Sequence, residues 1–191
     1  MEALILNGAA PGDAELDGIQ ELLRRKLEAG GCRTSAMVLR DVPVAYCQGC
    51  FECWLKTPGI CKTHDNGRDV AAAFVASDLV VLLTPITFGG YSSHLKKGLD
   101  RIAGVVSPFF MRSEGEVHHR PRYARYPRLL GVGVLAAKRP DEERVFQTLV
   151  ARNALNFHSP WHAARILLRG DSPATQLEVL EGALEQSGRA A

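Results

Sequence analysis

The segment Cys47-Gln-Gly-Cys50-Phe-Glu-Cys53, followed by Cys61, gathers four thiols into one short stretch of chain. A thiolate is a strong ligand for iron, zinc and copper(I). Three cysteines at every third position suit a cubane iron-sulfur cluster, in which each iron takes one thiolate and consecutive ligands approach one face. Structural zinc more often takes two separated Cys-x-x-Cys pairs, and thiols without a metal would be free or redox-active. The spacing favours the cluster, with Cys47, Cys50, Cys53 and Cys61 as ligands, and leaves zinc and metal-free thiols open. Cys32 lies on another predicted element and reads as a small core or strand-edge residue. The opening Met-Glu-Ala-Leu-Ile-Leu shows no basic, apolar, small-residue leader. The expected compartment is therefore the thiol-reducing cytoplasm, where these cysteines would not be staples.

The elements that must position this loop follow from apolar runs and their breaks. Glu2–Asn7 is a strand buried on both faces, and Leu16, Ile19, Leu22, Leu23 and Leu27 give a helical stripe ending at Gly30-Gly31. Arg33–Leu39 is a second strand, and Val70, Ala71, Phe74 and Val75 line a second helix. Asp78–Thr84 is the most strand-like stretch and the expected central strand. Leu95, Leu99 and Ile102 mark a third helix, and residues 129–136, 140–152, 163–168 and 174–186 read as strand, helix, strand and helix. Alternation of this kind predicts an α/β fold, a flavodoxin-like doubly wound five-stranded parallel sheet of order 2-1-3-4-5. At 191 residues it is one domain spanning 1–191, with a cysteine loop at 46–62 and a long irregular insertion at 104–127.

In such a sheet a ligand sits beyond the carboxyl ends of strands one and three. The loops expected there are Gly8 to Ala14, Pro85 to Tyr91 and Ala137 to Pro140, with the cysteine loop leaving the same edge. No hydrolase triad spacing, Walker loop or dinucleotide fingerprint is present. A formal charge of +2 argues neither for nor against an acidic partner, but the basic charge is local and no reader motif accompanies it, which argues against nucleic acid; no apolar run approaches the ~20 residues of a membrane span. His118-His119-Arg120 with Arg122, Arg125 and Arg128 is a basic stretch. It reads as a solvated loop or subunit contact, with dinucleotide phosphates or an acidic electron-carrier protein as the functional options.

On Cys47-x-x-Cys50-x-x-Cys53 with Cys61, Pro58-Gly59, Asp65, Thr84-Pro85-x-x-Phe88, Leu95-Lys96 and Asp100-Arg101, the chain resembles the flavodoxin-fold NAD(P)H-dependent FMN reductases, particularly their iron-sulfur flavoprotein branch. The resemblance covers about the first 140 residues. It implies FMN along the loop after the third strand, a 4Fe-4S cluster on the four cysteines, NAD(P)H as electron donor, a small-molecule acceptor and a homo-oligomer. The cofactor contacts would come from Gly8, Ala9, Ala10, Pro11 and Asp13, and from Thr84, Pro85, Ile86, Thr87, Phe88, Gly89, Gly90 and Tyr91. Phe88 or Tyr91 offers a face for stacking, and Gly89 and Gly90 let backbone approach a ring. The first loop departs from the family: it has no hydroxyl and no cation, and Asp13, Glu15 and Asp17 would repel a phosphate dianion unless they point away. In a first helical turn the same acids meet the helix dipole favourably, at ~0.3–1 kcal/mol each.

The expected function is an FMN-dependent oxidoreductase with a cluster. Alternatives are a cluster-free FMN or quinone reductase, and a non-enzymatic flavodoxin-like thiol redox or metal sensor. No side chain is expected to act as acid or base.

Overall fold

The computed structural model describes residues 1–113 and 115–189. In chain order the elements are β1 (Glu2–Asn7), α1 (Ala14–Ala29), β2 (Arg33–Val38), a one-turn α2 (Glu52–Leu55), α3 (Gly67–Ala76), β3 (Leu79–Pro85) and α4 (Ser93–Arg101). A 3-10 turn (Ala103–Val105) follows, then β4 (Val106–Ser113), β5 (Glu116–Pro121), β6 (Arg128–Leu135), α5 (Pro140–Asn156), β7 (His162–Leu168) and α6 (Pro173–Arg189). Five strands form a parallel sheet in the order β2-β1-β3-β6-β7. This is the expected doubly wound order, since β6 and β7 are the fourth and fifth strands of that sheet.

The sheet forms where apolar runs can be covered on both faces. Leu79 to Leu83 are fully buried, and every residue of β6 is buried, so these strands lie at the centre. One face packs against α3, α4 and α5 through Phe74, Leu95, Leu99, Phe146 and Val150. The other packs against α1 and α6 through Leu16, Ile19, Leu23, Leu27, Leu180 and Ala183. Gly131 and Gly133 set the spacing of α5. A Cβ on Gly131 would lie 2.4 Å from Val150, and one on Gly133 would lie 2.6 Å from Ile86 and 2.9 Å from Phe146.

The insertion is ordered differently from expectation. Instead of an irregular 104–127 excursion, β4 and β5 pair antiparallel as a separate hairpin, with a register shift between Val106 and Phe110. Its side chains alternate poorly and Pro108 and Pro121 interrupt it, so the sequence pattern hid it. Tertiary contacts hold it instead. Arg152 of α5 grips the Glu116 carboxylate at 2.5 and 2.9 Å, and His158 Nε2 lies 2.6 Å from the His119 carbonyl. Among the described residues no helix is long and apolar enough to cross a membrane.

Candidate functional site

The carboxyl ends of β1 and β3 are fastened together. Gly8 N–H donates to the Leu83 carbonyl (2.8 Å), and the Ser92 hydroxyl donates to the Gly8 carbonyl (2.6 Å) while accepting from Leu95 N–H as the cap of α4. A Cβ on Gly8 would stand 2.6 Å from Ser92 Oγ and 2.7 Å from Leu95 Cβ, so this approach requires glycine. Thr84 is buried, and its hydroxyl accepts from Ser92 N–H and donates to the Pro85 carbonyl. Thr84, Gly8 and the buried Ala9 therefore hold the rim from beneath.

Above them, Thr87 and Gly90 exchange two backbone hydrogen bonds around Phe88 (φ +50°) and Gly89 (φ +78°). Two successive positive φ values make a mirror-image turn of the type I′ kind. Phe88 sits at its tip and is 95% exposed. Gly89 is pressed against α5, where a Cβ would lie 2.7 Å from Val145. Pro85 and Ile86 are half-buried, and Ala10, Pro11 and Thr87 are exposed. Tyr91 points the other way: it is buried edge-on against Phe146, takes a hydrogen bond from Asn153, and burial pushes its hydroxyl up to about 12. Of the two aromatic rings expected to be available for stacking, only Phe88 faces outward.

The acids of the first loop are not loose. Asp13 caps α1 by accepting from Leu16 N–H (3.3 Å), and Arg169 grips its carboxylate at 2.6 and 2.9 Å. Glu15 is held by the same arginine (3.1 Å) and by Gly170 N–H (2.7 Å), while Arg40 holds Asp17 at 2.8 and 3.0 Å. The Arg169 pair, aided by the Leu16 amide and opposed by burial, keeps Asp13 below the usual carboxylate range. Arg40 and Arg169 were not legible as site residues, because they arrive from the ends of β2 and β7. The family's phosphate-docking position is thus a poor fit for a dianion: it already holds a carboxylate, its cations are paired, and Ala9, Asp13 and Ala14 N–H are bonded within the loop.

The four cysteines line one small cavity of about 30 Å³, closed by Tyr46, Lys62, Thr63, Asp100, Arg101 and Ala103. The loop leaves the strand tips at Leu39, whose N–H donates to the Asn7 carbonyl, but this cavity takes no wall from residues 8–13 or 85–91. It lies against the end of α4. Trp54 anchors it, donating from Nε1 to the Ala103 and Val106 carbonyls and stacking on Phe51 and on His119 of the hairpin. Arg101, at the end of α4, is buried. It makes a bidentate pair with Asp65 (2.7 and 2.8 Å), donates to the Ala45 carbonyl and reaches Cys61 Sγ at 3.3 Å. Burial raises Cys53, reinforced by the neighbouring thiols. Burial also works against Cys61, but the Thr63 amide and the Arg101 guanidinium outweigh it and hold that thiol below its usual value. The donor set is soft, yet among the described residues no three His, Cys, Asp or Glu side chains are arranged to hold a metal ion.

The basic stretch is spent internally for the most part. Arg120 and Arg122 donate to the Phe110 and Gly104 carbonyls, and the buried Arg128 donates to the Ser187 carbonyl. Lys96, by contrast, is exposed and paired with Asp100.

Residues 1–124 match the family model described as NADPH-dependent FMN reductase. The chain belongs to that family. It is an oxidoreductase by that membership. No curated protein matches this FMN reductase family member by sequence. Its fold is similar to that of an FMN-dependent NADH-azoreductase from Bacillus anthracis str. Ames Ancestor in complex with FMN, at TM-score 0.67 and 14% identity, covering 100% of this chain and 99% of that one. An NAD(P)H:quinone oxidoreductase from Methanothermobacter marburgensis gives TM-score 0.67 and 14% identity, covering 100% and 96%. A putative quinone reductase from Klebsiella pneumoniae gives 0.68 and 15%, covering 97% and 84%. At these identities the likenesses speak to the fold of this family member.

Proposed function

We propose that this protein is a flavin-dependent NAD(P)H reductase that delivers reducing equivalents to a small oxidised acceptor, such as a quinone or an azo compound, with no metal cluster required. The reading rests on family membership and on one observation, the Phe88 turn. An aromatic ring left 95% exposed on a left-handed backbone gains little from burial and carries strain, and such outliers collect at functional sites. A bare aromatic plane beside small residues suits a flat heteroaromatic partner. Bound flavin supplies the coupling between a hydride donor and an acceptor. The chain's own part is to offer Phe88 as a stacking surface at the same sheet end as Ala10, Pro11, Pro85, Ile86, Thr87 and Gly90. Gly8, Ala9, Asp13, Thr84, Gly89 and Tyr91 fix that rim in place.

The test is NADH and NADPH oxidation by purified protein with added flavin and a soluble quinone. Turnover that falls about tenfold in Phe88→Ala, with an unchanged unfolding midpoint, supports the reading. No flavin-stimulated oxidation of either nucleotide would overturn it.

A second reading keeps a 4Fe-4S cluster on Cys47, Cys50, Cys53 and Cys61, with an electron-carrier protein as a further partner. What favours it is that all four cysteines line one cavity. Anaerobic purification with iron analysis separates the two. Iron near four per chain, abolished in Cys50→Ala, supports the cluster, and iron-free protein with flavin-dependent turnover supports the first reading. A cytoplasmic setting suits the reduced thiols. Self-association through the hairpin, where Phe109, Phe110 and Val117 are exposed, is checked by sedimentation.

A further inference from the structure

The β1–α1 turn departs from what a phosphate site needs, in three ways that reinforce one another. Its helix N-terminus is already capped by an anion, since Asp13 accepts from Leu16 N–H and its side chain is only 10% exposed. Three of its amides are used within the turn: Ala9 N–H donates to Asn7 Oδ1 (2.8 Å), Asp13 N–H to the Ala10 carbonyl (3.2 Å) and Ala14 N–H to the Gly12 carbonyl (2.9 Å). Its cations are committed, because Arg169 forks onto Asp13 and reaches Glu15, and Arg40 forks onto Asp17 while also meeting the Ala10 carbonyl (3.3 Å). Three carboxylates stand against two guanidiniums, so the cluster carries net negative charge. A dianion entering here would have to break two bidentate pairs, which are among the stronger interactions a surface can make, and would then face the released carboxylates.

We infer that the β1–α1 turn excludes phosphate and that flavin is recognised through its ring system alone, so that riboflavin is taken as readily as FMN. Asp13, an internal anion fixed by Arg169, stands where the phosphate would dock. The inference deepens the proposed function and rests on it, since it specifies which flavins the same rim accepts. It makes the bound flavin readily exchangeable, because the ring alone must hold it.

The experiment is a titration of riboflavin and of FMN into the purified protein, followed by quenching of flavin fluorescence, with and without inorganic phosphate. The expected result is dissociation constants within about threefold of each other and no effect of phosphate on either. Asp13→Ser is then compared. Serine keeps the helix cap but removes the anion and leaves Arg169 held by Glu15 alone, so FMN binding should tighten about tenfold while riboflavin binding stays the same. FMN binding tenfold or more tighter than riboflavin in the unaltered protein, with phosphate competing against FMN only, would overturn the inference and leave the flavin reading standing. Failure of both flavins to bind would overturn the flavin reading and the inference with it.

Discussion

Phe88 and Arg101 are opposite cases of a side chain whose role depends on where its atoms end. Phe88 adopts φ +50° with its ring in water, so the fold gains nothing from the ring and pays for the backbone. Phe88→Gly should therefore leave stability unchanged or raise it by about 1 kcal/mol, seen as an equal or higher urea midpoint, while weakening flavin binding. Arg101 reverses this. Its pair with Asp65 is largely shut from solvent, the arginine side chain being 1% and the aspartate side chain 13% exposed. Arg101→Met should cost about 3–5 kcal/mol, because it strands a buried carboxylate. Acid should reach the same pair. Burial raises Asp65, but bonds from Arg101, Ala45 N–H and Gly67 N–H outweigh it, and the carboxyl ends below its ordinary value. A depressed folded-state value means that the stability is complete above the unfolded value of about 3.9 and drains away as pH falls through the lower one. Unfolding midpoints between pH 5 and pH 2 should fall less steeply in Asp65→Asn than in the unaltered chain.

Among the elements, β1, β3 and β6 were legible because each is an apolar run between turn residues, and β3 and β6 are buried on both faces. The hairpin was not legible. Its two strands pair only with each other, carry histidines and arginines, and are held by Arg152, His158 and Trp54 from distant parts of the chain. Arg101 did leave a positional trace, since it lies three residues after Gly98, on the face that α4 turns inward. Arg40 and Arg169 left none, because their partners lie 23 and 156 residues away. Two glycines in β6 were read only as strand members, yet they admit α5. Gly131→Val should overpack that contact and cost about 1–3 kcal/mol, lowering the thermal midpoint with the circular dichroism spectrum preserved.

For the whole molecule, the sheet binds the first and last units of the chain to each other. Arg169 ties the β7–α6 turn to Asp13 and Glu15, and Lys26 of α1 meets Glu181 of α6 at 2.6 Å. The hairpin stands beside this closed unit, tied to α5 through Arg152 and Glu116 and to the cysteine loop through His119 and Trp54. Replacing 107–120 by a short glycine-serine turn should leave the parallel sheet folded by circular dichroism. Limited proteolysis should then cut within 46–62 several times faster, because Trp54 loses its stacking partner His119.

One hydroxyl, that of Ser92, serves as a rivet between the two neighbouring loops at the top of the sheet. A rivet of this sort couples the two loops, so that a shift of one is transmitted to the other. A Ser92→Ala chain, deprived of that fastening, should show faster amide exchange in both loops at once.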